Sequence, residues 1–507
     1  MKRLFVFAIG GTGSRVLKSL AMLLAAGVRH DGNNVYEIVP IIIDPHKAND
    51  DLKRTLSILG AYEKIAEHGR GDGKGFFGTR VRTLDRIGTT AQTSSSTFSF
   101  QLQQVSNSRF ADYIDYTQMS ESNRALTELL FSGNSIDNRG QKVPLLDIEM
   151  DIGFVGNPNV GSVVLNQFAE SKEFKDFAAN FNDGDRVFII SSIFGGTGAA
   201  GFPVILKNLR DALRQNLDAR SFVQNARIGA ITVMPYFNIE SDPDSPIRKS
   251  DFISKTKAAL YYYQNNVTGN NSLNALYYIA DHYHGKPYKN DPGAGGQRND
   301  AHFVELASAL SIIDFMGIPD KQLETVNGKA IDPIYREFSI RNSHETLAFS
   351  DLADETERKL VAPLSKLFLT YEYLVDPRTI ENMRSDEPWT KDAPSFDAQF
   401  LNSIFYRSHF LEFRNHFMQW LHELARNRRG FKPFEFGNLD YPIVGRPPKK
   451  SLFKFKSFNH DQFTGALNTE SKSAPYPSAE AKLLGLFGSA TSNILANYFD
   501  IKDANDG

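Results

Sequence analysis

The chain has 507 residues, 41% of them hydrophobic and 23% charged, with a formal net charge of −2. That length exceeds one minimal core and predicts two or three globular units, while the balanced charge excludes a disordered chain or one that coats nucleic acid. Cysteine is absent, which excludes disulfides, thiolate metal sites and a cysteine nucleophile.

The opening "MKRLFVFAIGG" has a basic start and an apolar run, but the run is short, ends in a glycine turn and lacks a cleavage region. It reads as a strand and not as a secretion signal. No stretch has the roughly 18 uninterrupted apolar residues of a membrane span, so a soluble, cytoplasmic protein is expected. Apolar runs then alternate with amphipathic ones: "RLFVFAI" before "SRVLKSLAMLLAA", "YEIVPIIID" before "DDLKRTLSILGAYEKIAEH", and "DRVFIISSI" before "FPVILKNLRDALRQNL". A further strand, "ARIGAITVMPYF", covers 226–237. This alternation predicts an α/β, doubly wound, Rossmann-like parallel sheet, which binds ligands at the carboxyl ends of its strands.

Residues 70–150 are polar and rich in Gly, Ser and Thr ("GRGDGKGFFG", "GTTAQTSSSTFSF") and read as an insertion. The loop-like 285–300 precedes a central helix at 298–317. From 318 to 470 the pattern shifts to short strands and long helices, predicting a smaller α+β C-terminal domain. Residues 471–507 hold a linker, a terminal helix and a polar tail. The nucleotide-binding domain is then 1–297.

The tetrad Gly10-Gly11-Thr12-Gly13 recurs letter for letter as Gly195-Gly196-Thr197-Gly198. The flanks differ, so the repetition points to shared chemistry and not to duplication. Glycine permits positive φ and close backbone approach, and amides at a helix start favour an anion. "GGTGSRV" with Asp44 on a ribose fits a dinucleotide fingerprint, as in an NAD-dependent oxidoreductase. That reading leaves the second tetrad and the loop at 153–162 without a role. No Walker Gly-Lys-Ser/Thr pattern occurs.

These residues resemble the tubulin/FtsZ superfamily, whose defining loop is Gly-Gly-Gly-Thr-Gly-(Thr/Ser)-Gly and reads here Phe194 to Ala200, with Pro203 following. The first loop, Ile9 to Ser14, corresponds to the family's opening phosphate turn, and Asp44 falls in its second loop. "IGFVGNPNVGS" is similar to the third, Gly-Ala-Gly-Ala-Asn-Pro-Glu-Val-Gly, at Gly153, Gly156, Asn157, Pro158, Val160 and Gly161. "ITVMPYFNIE" resembles Val-Thr-x-Pro-Phe-x-x-Glu. The resemblance runs collinearly over residues 1–250 and implies GTP/GDP, usually with Mg2+, held by backbone amides. It places Glu240 near the ribose and Arg248 near the phosphates, with Asn299, His302 and Phe303 as base contacts and both GTP and ATP open.

The resemblance further implies head-to-tail self-assembly into filaments, with carboxylates of one subunit completing the site of the next. Asp351-Leu352-Ala353-Asp354 matches the family's Asp-x-x-Asp spacing, giving catalytic Asp351 and Asp354, although helix capping accounts for the same residues more simply. Asp314 with Asp320 is the rival pair. A divergent bacterial GTPase is the leading expectation; a non-hydrolysing nucleotide-binding component of a larger complex is the alternative. "ADHYHG", with Asp281, His282 and His284, reads as a polar loop and not a metal site. "PPKKSLFKFKSF" reads as a half-buried strand and not a nucleic-acid surface.

Overall fold

A computed structural model describes residues 1–46, 49–87, 98–136, 141–150, 153–154, 156–212, 222–236, 249–281, 299–338, 340, 344–382, 387–427, 429–449, 458–472 and 475–502. Strands β1 (Lys2–Ile9), β2 (Tyr36–Ile43), β3 (Arg186–Ser192), β4 (Arg227–Val233), β5 (Ala275–Ile279) and β6 (Ile334–Glu337) form one sheet. Its order is β6-β5-β4-β3-β1-β2 and every pairing is parallel. Residues of β2 and β3 are buried throughout, as the unbroken apolar runs of strands covered on both faces require.

The helices are α1 (Gly10–Ala26), α2 (Asp50–Ala66), α3 (Glu121–Leu130), α4 (Pro158–Leu165), α5 (Lys172–Asn180), α6 (Gly196–Arg210), α7 (Lys249–Tyr263), α8 (Phe303–Gly317), α9 (Asp354–Val375), α10 (Leu411–Arg426), α11 (His460–Glu470) and α12 (Ala479–Ile494). On one face of the sheet α1 packs against α2 and α8; on the other α4 lies along α6. Phe5 and Phe7 of β1 meet the Phe177 ring of α5 edge-on at 4.9 and 5.3 Å. Such aromatic pairs add about 1 kcal/mol each beyond the area they bury.

Two expectations change. The α+β domain expected from 318 is chiefly helical among the described residues: apart from β6, which joins the main sheet, its ladders are two residues long, 325–326 with 329–330 and 346–347 with 430–431. Nor does this region pack as a separate body. In α1 only Gly11 escapes full burial, so its apolar surface needs cover on every side, as in any helix hydrophobic all round. The sheet, α2 and α8 cover most of it, and α9 and α10 close over what remains: Trp420 of α10 donates its indole N–H to Ser19 Oγ at 3.1 Å. The second concerns the segment at 70–150, read from sequence only as a polar insertion: Val81 and Ser99 of this segment form parallel bridges to Ile38 and Ile42 on the open edge of β2, which shields that edge from other strands there.

Glycine has a steric reason at the two helix starts. A Cβ on Gly13 would lie 2.6 Å from the carbonyl carbon of Ala8, and one on Gly198 would lie 2.7 Å from the carbonyl oxygen of Ser192. Gly60 in α2 meets nothing within 4 Å. Gly13→Ala and Gly198→Ala are therefore expected to destabilise by about 2 kcal/mol or more through overpacking, while Gly60→Ala stabilises by roughly 0.5–1 kcal/mol. Urea unfolding of the three variants checks the contrast.

Candidate functional site

Strand order reverses between β1 and β3, which opens a crevice at their carboxyl ends. Both tetrads stand there, one starting α1 and the other α6. Gly10 has φ +68°, and a Cβ on it would lie 3.3 Å from Thr197 Cβ. Gly156, with φ +71°, precedes the N-cap of α4, Asn157. A Cβ on Gly196 would come within 2.9 and 3.0 Å of the amide nitrogens of Gly156 and Asn157. Three helix amino termini therefore meet in backbone contact that only glycine allows.

Among the described helices of eight residues or more whose amino terminus is described, α1, α4 and α6 alone have neither a side-chain cap nor an acid in the first turn. The others follow the usual chemistry: Asn49 caps α2, Ser171 caps α5, and α9 starts with Asp354, Glu355 and Glu357. Each uncapped end carries about half a positive charge and unsatisfied N–H groups, so the cluster is suited to phosphate. Buried Ser14 Oγ has no hydrogen-bond partner among the described residues. Lys255 of α7 donates to the carbonyl of Gly156 at 2.6 Å and puts a cation at the rim.

Asp44 follows β2 and is buried. Burial pushes its carboxyl up to about 7, opposed by the backbone N–H of His46, which donates to it at 3.0 Å. The first turns of α1 carry a network that sequence reading missed. Arg15 Nε lies 2.7 Å from Glu305 Oε1 and its Nη1 3.8 Å from Asp51. Arg15 also donates to Tyr236 Oη at 2.6 Å, and that hydroxyl donates to Glu305 at 2.8 Å. Burial opposes the Arg15 charge, but Tyr236, Glu305 and Asp51 outweigh it and raise its pKa. One turn on, Lys18 lies 3.8 Å and Arg54 2.6 Å from Glu423 of α10.

The expected base contacts have varied settings. Asn299 directs its backbone and side-chain N–H groups to Asp51 Oδ2 at 3.3 and 3.5 Å. His302 caps α8 through Nδ1, and burial pushes it down to about 4, so it stays neutral. Its ring lies 4.9 Å from Tyr236. Phe303 packs on Phe431 and Phe338. Glu240, Arg248, His282 and His284 lie outside the described residues, while Asp281 pairs with Arg429 at 2.8 Å.

The acidic candidates occupy two places. Asp351 accepts the Ala348 N–H at 2.8 Å and lies 3.0 Å from His344 Nδ1, closing its own turn, and Asp354 opens α9. Phe349 meets Phe431 edge-on, and Phe431 in turn meets Phe303 at the start of α8, so this turn lies toward the end that carries the glycine tetrads. Asp320 sits at the opposite end, where β1, β3 and β4 begin, within 2.7 Å of Lys2, 2.6 Å of Arg186 and 3.6 Å of Arg227. Burial opposes the Asp320 charge, but hydrogen bonds from Lys2 and Arg186 hold its carboxyl down at about 2. Asp314 takes both oxygens to Arg336 at 2.7 Å.

No family model and no curated protein matches the chain. Among solved structures, a point mutant of FtsZ from M. jannaschii aligns at 15% identity over 55% of this chain and 46% of its own, with a TM-score of 0.24. An empty FtsZ dimer from the same organism aligns at 13% identity over 55% of this chain and 45% of its own, and CetZ from Methanosaeta thermophila at 12% over 62% and 52%, both with TM-scores of 0.24. The alignments span about half the length of each of these chains.

A carboxyl whose folded pKa exceeds its unfolded value binds its proton more tightly when folded, so it lowers stability as pH rises from about 4 to about 7. Asp44→Asn should abolish that decline. In urea unfolding, stabilities of parent and variant should be nearly equal near pH 3.5, below both pKa values, and at pH 8 the variant should be the more stable by roughly 2 kcal/mol or more.

Proposed function

We propose that the chain is a tubulin/FtsZ-like GTP-binding protein whose copies assemble head to tail, each nucleotide meeting the amino-end face of the next sheet. The observation that carries this reading is the meeting of α1, α4 and α6 at their uncapped starts. The phosphates would lie against the amides of Gly10 to Ser14, Gly156 to Pro158 and Gly195 to Gly198, although Pro158 itself has no N–H and serves as the first residue of α4. The collinear loop resemblance supports guanine nucleotide over a dinucleotide. Asp44 and, by the sequence pattern, Glu240 would hold the ribose, with Arg248 near the phosphates.

The loops fit phosphate better than they fit a metal. Among the described residues no group of three or more His, Asp or Glu could hold an ion. Mg2+ would be held chiefly by phosphate oxygens and water, where it neutralises charge on the transferring phosphoryl group.

Hydrolysis in trans needs a carboxylate on the face opposite the phosphate loops. Asp320 meets that requirement better than Asp351 and Asp354. Its oxygens nevertheless face three cations, which favours the second reading, a nucleotide-binding component with little turnover of its own.

Gly11 has open space around its Cβ position. Gly11→Ala is thus expected to fold normally and to bind fluorescent GTP at least tenfold more weakly; unchanged affinity would remove the cradle from the site. For turnover, GTPase activity per chain should rise with protein concentration and fall at least tenfold in Asp320→Ala, while Asp351→Ala with Asp354→Ala changes it little. Concentration-independent turnover would sink the trans scheme, and no turnover with intact binding would select the second reading.

A further inference from the structure

A second site lies at the other end of α1, about 25 Å along the helix from the phosphate loops. Here the loop "GRGDGKGFFG" folds under the carboxyl end of α1: Phe77 donates its N–H to the carbonyl of Ala25 at 3.1 Å. A Cβ on Gly27 would lie 2.8 Å from the carbonyl oxygen of Gly75. Gly71, Gly73 and Gly75 all have positive φ. Between this loop, α9 and α12 is a cavity of about 700 Å³, within the range that takes a nucleotide-sized ligand.

Its wall is mainly cationic. Arg29, Arg70, Lys74 and Lys366 line it with one carboxylate, Glu470, which accepts from Asn493 Nδ2 at 2.5 Å, while Arg70 Nε is paired with Asp72 of its own loop at 3.1 Å. Lys366 is 7% exposed and its ammonium reaches Ser492 Oγ of α12 at 3.4 Å. The facing side of α12 leaves room, since a Cβ on Gly488 would meet nothing within 4 Å. Tyr476 supplies an aromatic wall, its ring held 2.6 Å from the Cβ position of Gly485. A concave space with four cations and glycine backbone on one side matches a small polyanion, because ammonium and guanidinium groups neutralise phosphate oxygens while glycine lets the backbone approach them.

We propose that this cavity binds a phosphorylated small molecule at a site separate from the crevice between β1 and β3. Neither tetrad contributes to it, so it does not depend on the GTP reading.

The probe is sodium pyrophosphate, titrated calorimetrically into the full chain carrying Gly11→Ala, so that the crevice contributes little. Binding is expected, and it should weaken at least tenfold when Gly488→Leu fills the cavity and when exposed Lys74 is replaced in Lys74→Ala. Both substitutions spare the packed core, and thermal unfolding at the parent temperature verifies this. Failure of pyrophosphate to bind, or affinity unmoved by both substitutions, overturns the proposal. GTP affinity left unchanged by Gly11→Ala, with the Gly488-sensitive pyrophosphate binding retained, would refute the crevice reading and leave this one standing.

Discussion

Three helix amino termini in backbone contact is an arrangement with an electrostatic cost, and the rest of the molecule is organised around keeping it. Each end contributes about half a positive charge, and ordinary helices of this chain relieve that charge with Ser, Asn, Asp or Glu in the cap or first turn. At α1, α4 and α6 the relief is withheld, and glycines close the distance between like ends. Such a cluster is stable in the company of an anion and less so without one, which ties folding to ligand by mass action. The sheet makes it possible by reversing its strand order between β1 and β3, so that two strand-to-helix turns leave in opposite directions from neighbouring strands.

The turn after Gly13 then has to be anchored. Arg15 is the first long side chain inside α1, and its contacts with Glu305, Tyr236 and Asp51 fasten the phosphate turn to α8, to the segment after β4 and to α2. Lys18 and Arg54 continue the pattern to Glu423 of α10. Buried pairs of this kind contribute little net stability but are costly to break singly, because one partner's removal strands the other's charge. Their effect here is positional: the C-terminal helices cannot shift relative to α1 without breaking an ion pair. That is why a region that reads as a second domain shares one core with the first.

Four of the six strands, β1 to β4, were legible because each is a nearly unbroken apolar run, whereas β5 and the exposed edge strand β6 were not read. The close approach of the glycine loops was legible because clustered glycines between an apolar run and a helix mark a backbone that must come close to something. Yet identical letters conceal different geometry. Gly10 uses positive φ at +68°, whereas Gly195 sits at −84° as an N-cap, and only the final glycines, Gly13 and Gly198, share the role of letting helix approach strand. Arg15, Glu305 and Lys255 were not legible, since a charged residue in a helix reads as surface until packing shows otherwise. Asp351 is ambiguous in sequence for the converse reason: an Asp-x-x-Asp spacing is equally the signature of a turn that caps itself, and here the Ala348 N–H donates to one oxygen.

The placement of acids decides what kind of assembly the molecule can support. A subunit in a polar row offers its phosphate loops to one neighbour and the amino ends of its strands to the other, so a residue acting on the neighbour's nucleotide has to stand at the amino ends. Asp320 stands there, bound to the first residues of β1, β3 and β4. Those cations keep it ionised and fix its position, which serves orientation of water, but they also compete for its lone pairs. On the proposed head-to-tail reading, a neighbour's nucleotide would change the balance: its phosphates would take Lys2, the most exposed of the three cations, and so free an Asp320 oxygen at the moment of docking. The carboxylate would then be restrained in the single subunit and released by contact, which is what that reading asks of a residue coupling turnover to assembly.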